Sequence, residues 1–324
     1  MRKKLLFTAI FLLCSLNNAM SNEPTKSLVL ILDWFVNPQH APIIIAQEKG
    51  FFKQHGLRVK IVAPANPSDP PKLVAAGKAD IAIGYQPELY LQIANGLPLT
   101  RIGTLVNSPL RVVAVLQSSK IYSLADLKGK TLAHAYSGVG DAIFGKMLQN
   151  HGVQITDVKL INVHYNLVQA LLSHHADAIS GIGRNFEVPE LTLAKQPVRV
   201  FYPEKNGVPP FDALIFLSNR HHADDPRLLA FMQAVRQGVQ FIQQHPLLSW
   251  QLLIKHHPEL NNQLNKTAWE ITRPLFAIEP LRFNTQRYRD FAEWMLQHKL
   301  IHNVLPLNYY GVDLRFSQNK KLLR

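Results

Sequence analysis

Strand-like and helix-like segments alternate through most of this chain, and that alternation limits its fold more than any other feature. Leu28–Leu32 reads as a buried strand and Ile43–Lys49 as a helix closed by Gly50. Arg58–Val62 is strand-like. Pro70–Ala76 reads as a short helix with Asp69 as its N-cap and Pro70 in the first turn. Asp80–Gly84 and Pro87–Asn95 continue the series as strand and helix. A βαβαβα order implies a mainly parallel sheet covered by helices.

Two longer apolar strands, Arg111–Leu116 and Ala213–Leu217, stand apart from this series. Between them lies a second alternating unit. Thr131–Ala135, Val158–Val163 and Ala178–Ser180 are strand-like, and Asp141–Asn150 and Leu167–Ser173 are helical. After Leu217 the pattern turns helical, over Pro226–Gln244, Leu247–Lys255, Lys266–Ile278 and Gln286–His298. The expected organisation is one α/β lobe, residues 27–112 plus 216–312, interrupted by a second, residues 113–215. Two crossings between them make a two-strand hinge.

The chain begins with Arg2, Lys3 and Lys4, an apolar run from Leu5 to Leu16, and Ala19-Met20-Ser21. Those are the basic, apolar and small-residue regions of a signal peptide, so residues 1–21 are expected to be removed and the protein to be periplasmic and soluble. The apolar run is short for a membrane span. A lipid anchor would need a small residue just before the cysteine, where Leu13 precedes Cys14. Cys14 is the only cysteine, which leaves the exported part without disulfides, cysteine metal ligands or a cysteine nucleophile. The net charge of +13 falls to +10 without the first three basic residues, and it is spread out. No arginine-rich helix with interleaved aromatics supports nucleic-acid binding.

The chemistry gathers where strands end, which is where ligands sit in open α/β sheets. Asp33, Trp34, Asn37 and His40 follow the first strand. An aromatic face beside polar groups suits a flat, hydrogen-bonding small molecule, although Trp34 as a core residue and Asp33, Asn37 and His40 as turn and cap residues fit equally. Tyr85 ends the third strand and either faces Trp34 across a cleft or packs on the next helix. Ser137-Gly138-Val139-Gly140 opens a helix, as a backbone ligand contact or simply a tight turn. Asn185 and Glu187 follow the last strand of the middle unit, either as cleft groups able to donate and accept or as a solvent-facing cap. Asp212 marks the second crossing as a cleft carboxylate or a hinge-turn residue.

Several chemistries lack support. Gly140, Gly145 and Lys146 approach a phosphate-loop spacing, but Met147 stands where the magnesium-binding hydroxyl belongs. The histidine doublets at 174–175, 221–222 and 256–257 point to different helix faces, and His298 and His302 have no accompanying metal signature. No metal site is expected. No G-x-S-x-G elbow or triad order suggests a hydrolase.

Taken together, these residues resemble the periplasmic substrate-binding proteins of ABC importers. The most similar branch is the one shared with the thiamine-pyrimidine synthases. The likeness runs from Leu28 to Leu217. It takes in Leu32-Asp33-Trp34-Phe35, the "PSDPPKLVAAGKADIAIGYQP" segment, "LADLKGK" at 124–130, Arg184-Asn185-Phe186-Glu187, and Gly207-Val208-Pro209 with Asp212. It implies a type II periplasmic-binding-protein fold and a formylaminopyrimidine ligand salvaged from degraded thiamine. Trp34 and Tyr85 would stack on the ring, and Asn37, Asn185 and Glu187 would bond its edge. The Ser137–Gly140 turn would meet its substituent. It also implies an inner-membrane permease with its ATPase as partners, a monomer, no cofactor and no catalysis. An alkanesulfonate, a taurine-like compound or another heterocycle is the alternative ligand. A pyrimidine-synthesis enzyme is the alternative class, but the related synthases carry a cysteine-rich iron-binding motif that this chain lacks. The family often has an aromatic where this chain has Gly183, which implies a wider pocket or a different ligand.

Overall fold

The computed structural model describes residues 26–135 and 140–317. The segment 1–21 and Ser137, Gly138 and Val139 lie outside the described residues. Among the described residues, ten strands form two five-stranded sheets. The first contains β1 (Lys26–Ile31), β2 (Leu57–Val62), β3 (Ile81–Gly84), β4 (Leu99–Val106) and β10 (Leu214–Asn219), in the order β2-β1-β3-β10-β4. The second contains β5 (Arg111–Leu116), β6 (Thr131–His134), β7 (Lys159–Asn162), β8 (Ala178–Gly183) and β9 (Val198–Phe201), in the order β7-β6-β8-β5-β9. The two orders share one plan. Three parallel strands are followed by an antiparallel one, β10 in the first sheet and β5 in the second.

The chain passes between the sheets twice, but the apolar strands Arg111–Leu116 and Ala213–Leu217 do not themselves cross as the two-strand hinge expected. The passages lie after β4, at residues 107–110, and after β9, at residues 202–213. Each flanking strand pairs within one sheet, β5 in the second and β10 in the first. The passages run close together, because the Ala213 amide donates to the Val106 carbonyl at 3.0 Å.

Local sequence explains most elements. The helix Ala41–Glu48 ends where Gly50 takes φ +72°, a left-handed conformation that costs glycine little. The helix Pro226–Gln244 starts with Asp225 accepting from the Arg227 amide at 2.9 Å and Pro226 in its first turn. These two helices touch at Gly238, where a Cβ would lie 2.2 Å from the Pro42 carbonyl oxygen. Three expectations need correcting. Asp69 makes no capping bond and instead faces Lys72 at 3.8 Å. The helix expected over Lys266–Ile278 runs over Gln263–Thr272 and then tightens to a 3₁₀ turn, because Pro274 cannot continue an α-helix. The eight-residue strand β4 was not foreseen.

Apolar side chains collect in three clusters. One lies between the first sheet and the helices Ala41–Glu48 and Pro226–Gln244. A second runs from the other face of the first sheet, through Tyr288 and Phe291, to Val113 and Leu132 of the second and Phe144 of the helix Gly140–Gln149. The third lies on the remaining face of the second sheet and includes Trp34, which belongs by sequence to the first. Among the described residues, no helix is long and apolar enough to cross a membrane.

Candidate functional site

The loop after β1 folds around a buried carboxylate. Asn37 takes an extended conformation and caps the 3₁₀ turn Pro38–His40, accepting from the Gln39 amide at 2.9 Å. Its side-chain amide donates to the Phe35 carbonyl at 3.1 Å. The Asn37 backbone N–H donates to His40 Nδ1 at 3.2 Å, so the ring proton sits on Nε2 and is donated to Asp33 Oδ1 at 3.0 Å. Asp33 Oδ2 accepts from the Tyr85 hydroxyl at 2.6 Å and from Gln39 at 3.4 Å. Burial alone would raise the Asp33 pKa. The hydrogen bonds from His40 and Tyr85 and the positive charge of Arg111 together hold it below the usual carboxylate range. Asp33 is therefore an ionised group in a dry setting.

The second sheet supplies the facing wall. Asn185 and Glu187 follow β8, and Glu187 opens the helix Glu187–Leu193. Glu187 accepts from the Gly183 amide at 2.7 Å, and its burial pushes the carboxyl up to about 7 despite that bond. The Asn185 amide nitrogen donates to the Thr272 hydroxyl at 2.8 Å, and its Oδ1 is buried with no hydrogen-bond partner among the described residues. A Cβ at Gly183 would lie 2.8 Å from Asn185 Oδ1 and 3.0 Å from Glu187 Oε2. The missing aromatic at this position thus leaves room for these two polar groups.

A narrow cleft is lined by Asp33, Trp34, Asn37, Tyr85, Asn185 and Glu187, all expected from the sequence. His40 stands behind Asp33, fully buried. Asn37 reaches the cleft, but its side chain is spent on the turn. Gly140 opens the helix Gly140–Gln149. Asp212 is not brought to the cleft either. It bonds Thr104 at 2.9 Å and Arg287 at 2.5 Å beside the passages between the sheets, which fits the hinge-turn alternative.

The sequence reading missed Arg111, Gln39 and Phe186 as lining residues. Arg111 begins β5, and its guanidinium carbon lies 3.3 Å from the Tyr85 ring centre while it ion-pairs with Glu88. A lone cation at the head of the otherwise apolar run Val112–Leu116, just after a crossing, was the available signal. Tyr85 and Arg111 also border two adjoining hollows, one walled by Phe144, Met147 and Phe211 and the other by Pro67, Pro71 and Leu97.

A family model described as NMT1/THI5 like matches residues 37–247, more than half of the chain. The chain belongs to that family. A relative from Haemophilus influenzae named a thiamine biosynthesis protein is 44% identical over 290 residues, covering 89% of this chain and 92% of its own. The formylaminopyrimidine-binding protein of Halalkalibacterium halodurans is 32% identical, with 79% of each chain covered. A Legionella pneumophila relative named 4-amino-5-hydroxymethyl-2-methylpyrimidine phosphate synthase is 29% identical over 80% of this chain and 82% of its own. Among solved structures, the alkanesulfonate-binding protein SsuA of Xanthomonas axonopodis, bound to MOPS, superposes with a TM-score of 0.67 at 18% identity, covering 91% of this chain and 98% of that one. The NMT1/THI5-like chain therefore has the fold of the periplasmic binding proteins.

Proposed function

We propose that the protein is the periplasmic solute-binding component of an ABC importer, that it binds a formylaminopyrimidine or a close relative, and that it performs no catalysis. One observation carries the ligand class. The ionised Asp33, the Glu187 carboxyl and the unpartnered Asn185 Oδ1 all line one cleft, with Trp34 and Tyr85 beside them. Arg111, the cleft's cation, is held by Glu88 and lies over Tyr85. That set of acceptors and aromatic faces matches a flat ring bearing amine N–H groups. An anion would bring a second negative charge beside the ionised Asp33, at a cost that low polarity magnifies. The names of the relatives point the same way. In this role the ligand closes the two sheets together, and the closed form engages a permease and its ATPase.

Isothermal titration of the purified protein tests the reading. Formylaminopyrimidine and hydroxymethylpyrimidine should give saturable heats, with alkanesulfonate and taurine giving none. Glu187→Gln should weaken the pyrimidine by roughly tenfold or more, as loss of a central desolvated contact does. The bound pyrimidine should be recovered unchanged by mass spectrometry. Binding of the sulfonate alone would discard the ligand, and chemical turnover of the pyrimidine would move the protein to the synthase side of its family.

A further inference from the structure

Trp34 is anchored in the sheet it does not belong to. It leaves the first sheet after β1, yet it packs in the apolar cluster of the second sheet, among Val112, Ala133, Leu167 and Ile182. Tyr165, from the loop after β7, meets it edge-on with ring centres 4.4 Å apart. The Tyr165 hydroxyl donates to the Pro64 carbonyl at 2.8 Å, in the loop after β2 of the first sheet. Phe35, beside Trp34, is met edge-on by Phe186 of the second sheet at 5.7 Å. Two loops of the first sheet are thereby gripped by two loops of the second, and Tyr165 touches both first-sheet loops.

We propose that Tyr165 is a positioning residue that seats the Trp34 indole in the cleft and latches the two sheets over a bound ligand. The inference rests on the cleft being a solute site, but not on which solute fills it. Opening the cleft must withdraw Trp34 from an apolar setting, pull the Tyr165 edge from its ring and break the bond to Pro64. Each loss falls on the opening step. A ligand that meets Trp34 is held for as long as that step is slow. Edge-to-face geometry also fixes the plane of the indole, so Tyr165 orients the surface offered to a flat ring. No contact between Tyr165 and the ligand is needed.

Stopped-flow tryptophan fluorescence with formylaminopyrimidine separates the two rate constants. Tyr165→Phe keeps the ring and removes the hydroxyl bond, so koff should rise roughly fivefold, the worth of one ordinary hydrogen bond. Tyr165→Ala should raise it roughly fivefold again by removing the aromatic pair. kon of Tyr165→Phe should not fall, and its melting temperature should drop by no more than about 2 °C, the worth of the one lost hydrogen bond. A second readout needs no ligand. With Cys14→Ser in the background, spin labels at the exposed positions Lys72→Cys and His175→Cys report the separation of the two sides. Tyr165→Ala should shift that distribution to longer distances. If the wild type bound no pyrimidine, the ligand reading would fail and the label distances would judge the latch alone. Unchanged distances, or a loss confined to kon, would overturn it.

Discussion

Glu187 keeps a proton that an ordinary glutamate has lost. Desolvation is the main cause, and the Gly183 amide only partly offsets it, leaving the carboxyl at about 7 against 4.5 in an unfolded chain. Between those values the folded protein holds a proton that the unfolded chain releases. Stability should therefore fall as pH rises through that window, by about 3 kcal/mol at most. Below the window the contribution is complete, and above about pH 7 it is gone. Asp33 runs the other way, since its lowered pKa favours the fold above the ordinary carboxylate range and is lost only in acid. Glu187→Gln should shrink the difference between urea-unfolding free energies at pH 5 and pH 8 by up to that amount, leaving the value at pH 5 near the wild type. An unchanged difference would mean that Glu187 is ionised throughout. Much of this site was legible, because acids, amides and aromatics at strand ends have few purposes other than caps and ligands. What was not legible was the pairing across the cleft. Asn185 and Asp212 are both polar residues beside strand ends, and sequence alone cannot tell that one faces Thr272 beside the cleft while the other faces Arg287 behind it.

The helix Thr285–Gln297 shows what a whole element does that no single residue reveals. Along its length it holds the second passage between the sheets. Arg287 donates to Asp212, Phe291 meets Phe211 edge-on at 5.6 Å, and Trp294 donates to the Gly207 carbonyl at 3.1 Å. Arg287 also donates to the Asn107 carbonyl at 2.8 Å, so one guanidinium ties both passages together. Asp212 is only 6% exposed, and removing its cation leaves a buried carboxylate with hydroxyl partners alone. Arg287→Ala should cost about 2–4 kcal/mol in urea unfolding, and a loss near zero would show that the passages do not need the brace. The helix itself was legible from its apolar spacing; its partner was not. Strand β4 was missed for a related reason. Arg101 interrupts its apolar pattern, yet that guanidinium is fully buried, bonding Thr104 and the carbonyls of Pro280 and Arg282. A buried charge is disguised in sequence as a surface one, because the groups that satisfy it lie far along the chain.

At the scale of the molecule, two sheets with the same strand plan could act as two folding units, and the alternating pattern alone suggests that they do. The packing argues otherwise. A single apolar cluster reaches from Ile31 and Ala82 of the first sheet, past Tyr90 and Phe291, to Val113 and Leu132 of the second. Trp34 and the third cluster add a second tie. Unfolding one sheet would therefore expose apolar surface on the other, and neither has reason to melt first. Calorimetry of the unliganded protein should show one transition whose van't Hoff and calorimetric enthalpies agree. A ligand that contacts both sheets then stabilises the whole chain rather than one half. At 100 times its dissociation constant it adds about 2.7 kcal/mol, which for a domain of this length raises the midpoint by about 4 °C without splitting the peak. Two peaks, with the ligand moving only one, would mean that the shared cluster fails to couple the sheets. The cleft would then draw its affinity from a single side, and closure would contribute nothing to holding the solute.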